Sequence, residues 1–331
     1  MSVSKKQLVL DAIDQKNVER VPSGFWFHFL KDEIHSNAFE HPELNDDVFK
    51  GISAYIEGAK PDFVKIMTDG YFPYENESVV GVKDLNTLKN VKPLPDNAKW
   101  FTDQIAYAKK VTSKYGHDLA TFYNLFVPGT ILKFNQTGDG DAYLYSLIKE
   151  DKEAFKHVLN VIAHDVAKLA KRLIKEAGVT GIYLSAQSLI APGFTKKDYD
   201  EIFAPGEKEI LRAANEESLY NILHICGYEG HRNDLTWFKD YEVKVINWAA
   251  VVEGVSLEKG QKIFGGRTSL GGFGNLSSDV LYKGTEEEIK AETRRLLKNA
   301  GRNGIILGAD CTVPRDTDWK HFEWVREAAA E

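Results

Sequence analysis

The stretch GIYLSAQSLIAPGFTKKDYDEIFAPGEKEILRAANEESLYNILHIC, residues 181–226, decides the fold. It opens on a short run, 181–185, that is apolar on both faces. A longer segment of helical periodicity follows at 196–217, and a second apolar run at 219–226. Short runs apolar on both faces read as buried parallel strands, and parallel pairing requires a long crossover between them, usually a helix. The same alternation continues outward in both directions. Apolar runs at 21–29, 61–67 and 119–126 precede this unit, and runs at 244–248, 262–265 and 304–308 follow it. Helices are expected at 46–59, 100–115, 141–177 (as two), 196–217, 230–239 and 286–300, with 249–260 the shortest crossover. Gly116, Gly178 and Gly301 stand just past helical segments, where a left-handed cap favours a residue without Cβ.

Eight strand–helix units imply an α/β fold, the (β/α)8 barrel, whose closure leaves no edge strand. An amphipathic stretch around Leu8, Val9, Leu10 and Ile13 adds helix in front of it. No linker or repeat interrupts the 331 residues, so a single domain over 1–331 is expected. An open doubly wound sheet is the alternative. It is disfavoured because no run is followed by Gly-x-Gly-x-x-Gly, and Gly271-Gly-Phe-Gly-Asn275 lacks that spacing.

The net charge of −7 argues against nucleic acid and anionic membranes as partners, since both select basic surfaces. No apolar run reaches bilayer length and no secretory pattern is evident, so a cytoplasmic location is expected. In a reducing compartment the only two cysteines, Cys226 and Cys311, are not expected to form a structural disulfide.

In a (β/α)8 barrel the reactive groups stand at the C-terminal ends of the strands. That rule selects Asp69, Tyr183, Gln187, Asn247 and Asp310, with both cysteines among them. His224 and Cys226 are two apart in an extended segment, so their side chains share a face. With Cys311 they supply one imidazole and two thiolates, a three-ligand zinc set with an open fourth position. Two inert core cysteines beside a core histidine would leave the same spacing, and spacing alone leaves both readings open. With zinc bound, this donor set would favour an electron-rich thiolate nucleophile over hydrolysis, which usually prefers harder ligands. Asp69 is a candidate catalytic carboxylate. Tyr183, Gln187 and Asn247 are candidates for a substrate pocket, as is His28, which lies among Phe25, Trp26, Phe27 and Phe29.

Taken together, several segments resemble the uroporphyrinogen decarboxylase superfamily over nearly the whole chain: Lys196-Lys-Asp-Tyr-Asp-Glu-Ile-Phe-Ala-Pro205, Leu223-His-Ile-Cys-Gly227, Val245-Ile-Asn-Trp248, Gly274-Asn-Leu276 and Leu307-Gly-Ala-Asp-Cys-Thr-Val-Pro314. One branch decarboxylates a tetrapyrrole, using an Arg-Gln-Ala-Gly-Arg-Tyr motif, an aspartate, a tyrosine and a late histidine. Asp69 matches the aspartate. The motif's arginines are missing from 21–29, the tyrosine position falls at Phe134, and the histidine position falls within 309–311. The other branch transfers methyl groups from a corrinoid to a thiol such as coenzyme M, on zinc held by His-x-Cys and a distant Cys. His224, Cys226 and Cys311 match that signature position by position. The resemblance therefore implies a zinc-dependent methyltransferase, with a corrinoid as methyl donor, free or on a partner protein, and a small-molecule thiol as acceptor. A metal-free tetrapyrrole carboxy-lyase and a non-catalytic corrinoid-binding protein are the competing expectations. Decarboxylases of the family form dimers, so a homodimer is compatible with the resemblance.

Overall fold

In the protein's computed structural model, which describes residues 3–134, 136 and 138–331, seven strands form one all-parallel sheet in chain order. They are β1 (Phe63–Ile66), β2 (Ala120–Phe126), β3 (Gly181–Ala186), β4 (Ile222–Ile225), β5 (Val245–Trp248), β6 (Thr268–Phe273) and β7 (Ile305–Ala309). Six of them fall within the apolar runs read from the sequence or overlap them. Helices lie between them, including Lys99–Tyr115, Lys152–Ala177, Ala204–Glu217 and Glu286–Ala300.

The sheet curls but does not close through hydrogen-bonded strands, because the first apolar run forms no ladder. Residues 22–24 lie between β7 and β1. The Gly24 N–H donates to Leu307 O, the Leu307 N–H to Pro22 O, and the Asp62 N–H to Ser23 O. The pairing stops there because other groups use the backbone. Pro22 has no N–H to give. The Ser23 N–H donates to the Asp62 carboxylate, and Tyr55 OH takes up both backbone groups of Phe25. Arg20 grips buried Asp62 through two 2.6 Å hydrogen bonds, fixing this segment to β1. Arg20→Ala is expected to cost about 3–5 kcal/mol, because it strands a buried carboxylate. Urea unfolding measures the loss, and unchanged stability would mean that apolar packing alone holds the segment.

The expected strand at 262–265 is instead the end of a helix, Leu257–Ile263, and the strand begins at Thr268. Leu257, Gly260 and Phe264 are buried at helical spacing, so the apolar residues there face one side of a helix. β6 lies outside the apolar runs, and two of its six residues are Gly271 and Gly272. Both take positive φ within the strand (137° and 109°), and a Cβ at 271 would come within 3.1 Å of Asn247 Nδ2. The expected helix at 230–239 is only a 3-10 turn, Leu235–Phe238, because 228–231 folds into a turn bridged between Tyr228 and His231. Gly116 caps its helix at φ −69°, not left-handed, whereas Gly178 (φ 71°) and Gly301 (φ 83°) have positive φ.

The helix Lys5–Ile13 closes the N-terminal end of the curled sheet. Its Val9, Ala12 and Ile13 pack in one interior cluster with Phe63, Phe122, Ile222, Val245 and Ile306. That end is plugged, so only the C-terminal ends of the strands are left open. No helix among the described residues is long and apolar enough to cross a membrane.

Candidate metal centre

The two-residue period of a strand carries the interior face upward from that apolar plug. Ile222 belongs to it. His224 and Cys226 follow at steps of two, and they line a cavity of about 620 Å3 at the C-terminal ends of the strands. Cys311 enters from just beyond β7. The cavity is also lined by His28, Lys65 and Gln187, and one wall is a cluster of Phe72, Phe126 and Phe134 with ring centroids 4.8–5.0 Å apart.

The nitrogen or sulfur atoms of His224, Cys226 and Cys311 lie within 4.8 Å of one another, and the two sulfurs are 4.0 Å apart. Two thiolates at the zinc–sulfur distance of about 2.3 Å from a tetrahedral centre stand about 3.8 Å apart, so this spacing suits the ion. Each sulfur acts on the other. Cys226 holds the Cys311 thiol well below the usual range, while Cys311 and burial push Cys226 up.

The histidine is set by its neighbour. Asn247 lies directly across from His224 in the β4–β5 register. Its amide nitrogen donates to Leu270 O (2.8 Å) and Ala309 O (3.1 Å), so its oxygen must be the acceptor. That oxygen takes the Tyr183 hydroxyl hydrogen (2.7 Å) and meets His224 Nδ1. Nδ1 therefore carries the proton, and Nε2 presents a lone pair. Nε2 is buried and has no hydrogen-bond partner among the described residues. Buried polar atoms are rarely left unpaired, and a metal-bound histidine typically donates its other N–H to such a partner. Zinc thus fits these three residues. Asn247→Leu is expected to weaken metal binding about 10–100-fold, as outer-sphere substitutions do. Competition with a chromophoric chelator would show it, and unchanged affinity would remove Asn247 from the site.

Other expected residues fall in two groups. His28 and Gln187 line the cavity, whereas Tyr183 and Asn247 lie behind His224 and do not. Asp69 is buried and also absent from the lining. Its Oδ1 accepts from His28 Nδ1 (2.8 Å), and its Oδ2 accepts from the Phe29 and Leu30 N–H groups (2.6 and 3.1 Å). Asp310 turns away from the sulfurs to accept from the Val251 N–H, and burial pushes its carboxyl up to about 7. Gly227 is needed at its place, because a Cβ there would stand 2.3 Å from Glu253 Oε1. Glu253 holds Asn233, whose amide caps the Cys226 carbonyl at 2.9 Å.

Lys65 escaped the strand-end rule because it sits inside β1. The signal was present: it shares the interior register with Phe63 and Met67. Its ammonium lies 4.0 Å from the Tyr183 ring centroid and 5.4 Å from that of Trp26. Burial lowers its pKa to about 8.

The pattern of the family described as uroporphyrinogen decarboxylase (URO-D) matches residues 63–331. No curated protein matches the chain in sequence. Among solved structures, a methyltransferase from Methanosarcina mazei superposes with a TM-score of 0.70 at 16% identity, over 99% of this chain and 98% of that one. A B12-independent methionine synthase from Shewanella sp. W3-18-1, in complex with selenomethionine, superposes with a TM-score of 0.58 at 12% identity, over 94% and 95%.

Proposed function

The chain belongs to the uroporphyrinogen decarboxylase (URO-D) family, and on that footing we propose that it is a zinc-dependent methyltransferase acting from a corrinoid to a thiol acceptor. One observation carries the reading. A buried imidazole nitrogen with no hydrogen-bond partner among the described residues stands with two cysteine sulfurs in the lining of an open cavity.

His224 Nε2, Cys226 Sγ and Cys311 Sγ would hold the ion. Zinc bound there would supply the Lewis acidity that ionises a thiol near neutral pH. Three soft or borderline protein ligands are the complement that leaves a position for substrate. Asn247 keeps the imidazole in the ligating tautomer. His28 is built to take the acceptor's proton. Asp69 accepts its Nδ1–H, so Nε2 is the basic atom, and it faces the cavity. Glu33 Oε1, 3.8 Å from that Nε2, offers the proton a way toward the mouth. The phenylalanine wall gives one side of the cavity an apolar surface. A cavity of about 620 Å3 is the size of a small-molecule site. The larger corrinoid would present its methyl group at the mouth, free or on a partner protein.

The two structural neighbours, a methyltransferase and a methionine synthase, are in keeping with methyl-transfer chemistry. The placement of Asp69 weighs against a tetrapyrrole carboxy-lyase. Both its oxygens are engaged away from the cavity, and no arginine lines that cavity among the described residues.

Protein purified without a metal-affinity tag should contain about one zinc per chain by elemental analysis, the stoichiometry of a single three-ligand site. It should demethylate methylcobalamin in the presence of a thiol and stop when treated with a chelator. No zinc after reconstitution under reducing conditions, or turnover untouched by the chelator, would overturn the assignment.

A further inference from the structure

A buried charge is costly unless something of opposite sign meets it. Lys65 is 7% exposed, and no carboxylate lies within ion-pair distance of its ammonium among the described residues. It lies over the rings of Tyr183 and Trp26, 4.0 and 5.4 Å from their centroids. The cavity that it lines also holds the sulfurs of Cys226 and Cys311. Asp69 is already engaged by His28 and two backbone N–H groups, so the charge left for Lys65 is on sulfur. Lys133, the other lysine of the cavity lining, is by contrast paired with Asp141 and reaches Gln187.

We propose that Lys65 is the fixed positive charge that offsets negative charge gathered on sulfur in this cavity, first on Cys226 and Cys311 and then on the sulfur of an incoming thiol. The part about the incoming thiol rests on the function proposed above. Two thiolates, a neutral imidazole and a divalent ion sum to zero. A third sulfur that has lost its proton brings the total to minus one, and that one charge is what Lys65 balances. The thiol's S–H bond breaks, its electron pair stays on sulfur and its proton leaves through His28. The role is electrostatic and asks nothing of the thiol's tail, so the acceptor need not carry an acidic group.

The test compares wild type, Lys65→Met and Lys65→Arg. Zinc-loaded proteins are titrated calorimetrically with 2-mercaptoethanol, whose tail is uncharged, and with 3-mercaptopropionate. Lys65→Met is expected to keep its zinc and bind both thiols at least about tenfold more weakly, the effect of one close charge at intermediate dielectric. Lys65→Arg is expected to stay within about threefold, since the charge is kept. Equal affinity in Lys65→Met, or a loss confined to the carboxylated thiol, overturns the inference. Metal-free protein supplies a second measurement that does not depend on the proposed reaction. Iodoacetamide, which attacks thiolates, should alkylate the cysteines several-fold more slowly in Lys65→Met and at the wild-type rate in Lys65→Arg. Equal rates overturn the inference even where the wild type proves to bind no zinc, an outcome that would separately sink the methyltransferase reading. Should Lys65→Met fail to fold, Lys65→Gln takes its place in both measurements.

Discussion

Cys311→Ser is expected to lower bound zinc from about one per chain to below about a tenth, and to abolish thiol methylation with it, because a three-ligand zinc site cannot spare a ligand. Serine keeps nearly the size of cysteine but offers a hard hydroxyl that does not ionise near neutrality, so the loss is chemical and not steric. Cys226→Ser should behave alike. The fold should survive both changes. Neither cysteine is fully buried, and neither lies inside a strand. The melting transition of the metal-free variants should therefore match that of metal-free wild type, which separates a ligand from a core residue. Zinc retained by both variants would defeat the assignment of the site. A large fall in the melting transition with zinc retained would make the cysteines packing residues.

His28→Gln is expected to reduce kcat/KM for thiol methylation by about 10²–10³-fold, in the range for loss of a positioned general base, while zinc content stays at the wild-type level. Asp69→Asn should produce a similar defect by another route. The amide nitrogen replacing one oxygen would oppose either His28 Nδ1–H or the Phe29 and Leu30 N–H groups, which now donate to the carboxylate. The imidazole would then turn or change tautomer. An unchanged kcat/KM in His28→Gln would show that the histidine only lines the cavity.

The strand-end rule picked out His224, Cys226, Cys311 and Asp69 because they interrupt or end apolar runs. It did not separate residues that face the cavity from those that support them. Tyr183, Asn247 and Asp69 stand at the expected ends, yet each acts through a histidine. That distinction depends on which neighbouring strand supplies a partner, and on hydrogen bonds spanning 23 residues for Asn247 and 41 for Asp69. Lys65 was missed for the opposite reason. A lysine inside an apolar run looks like an edge position until the curl of the sheet turns that register inward.

Local pattern alone determined most of the architecture. Alternation of doubly apolar runs with amphipathic segments specifies parallel strands and crossovers, because burial on both faces and a period near 3.6 are properties of short windows of chain. It also placed His224 and Cys226 on one face, since the two-residue period of a strand is local geometry. Tertiary structure decided the rest. It brought Cys311 to the other two ligands across 85 residues. It put a helix where Ile263 and Phe264 suggested a strand, and a strand through Gly271 and Gly272. It left residues 22–24 as a bridge and not a ladder, because Asp62 and Tyr55 took up the backbone groups that a strand would have used. The physical reason is common to all of these. Competition for a hydrogen-bond donor, or for one side of a curled sheet, is settled between segments distant in sequence, and no local window contains both competitors.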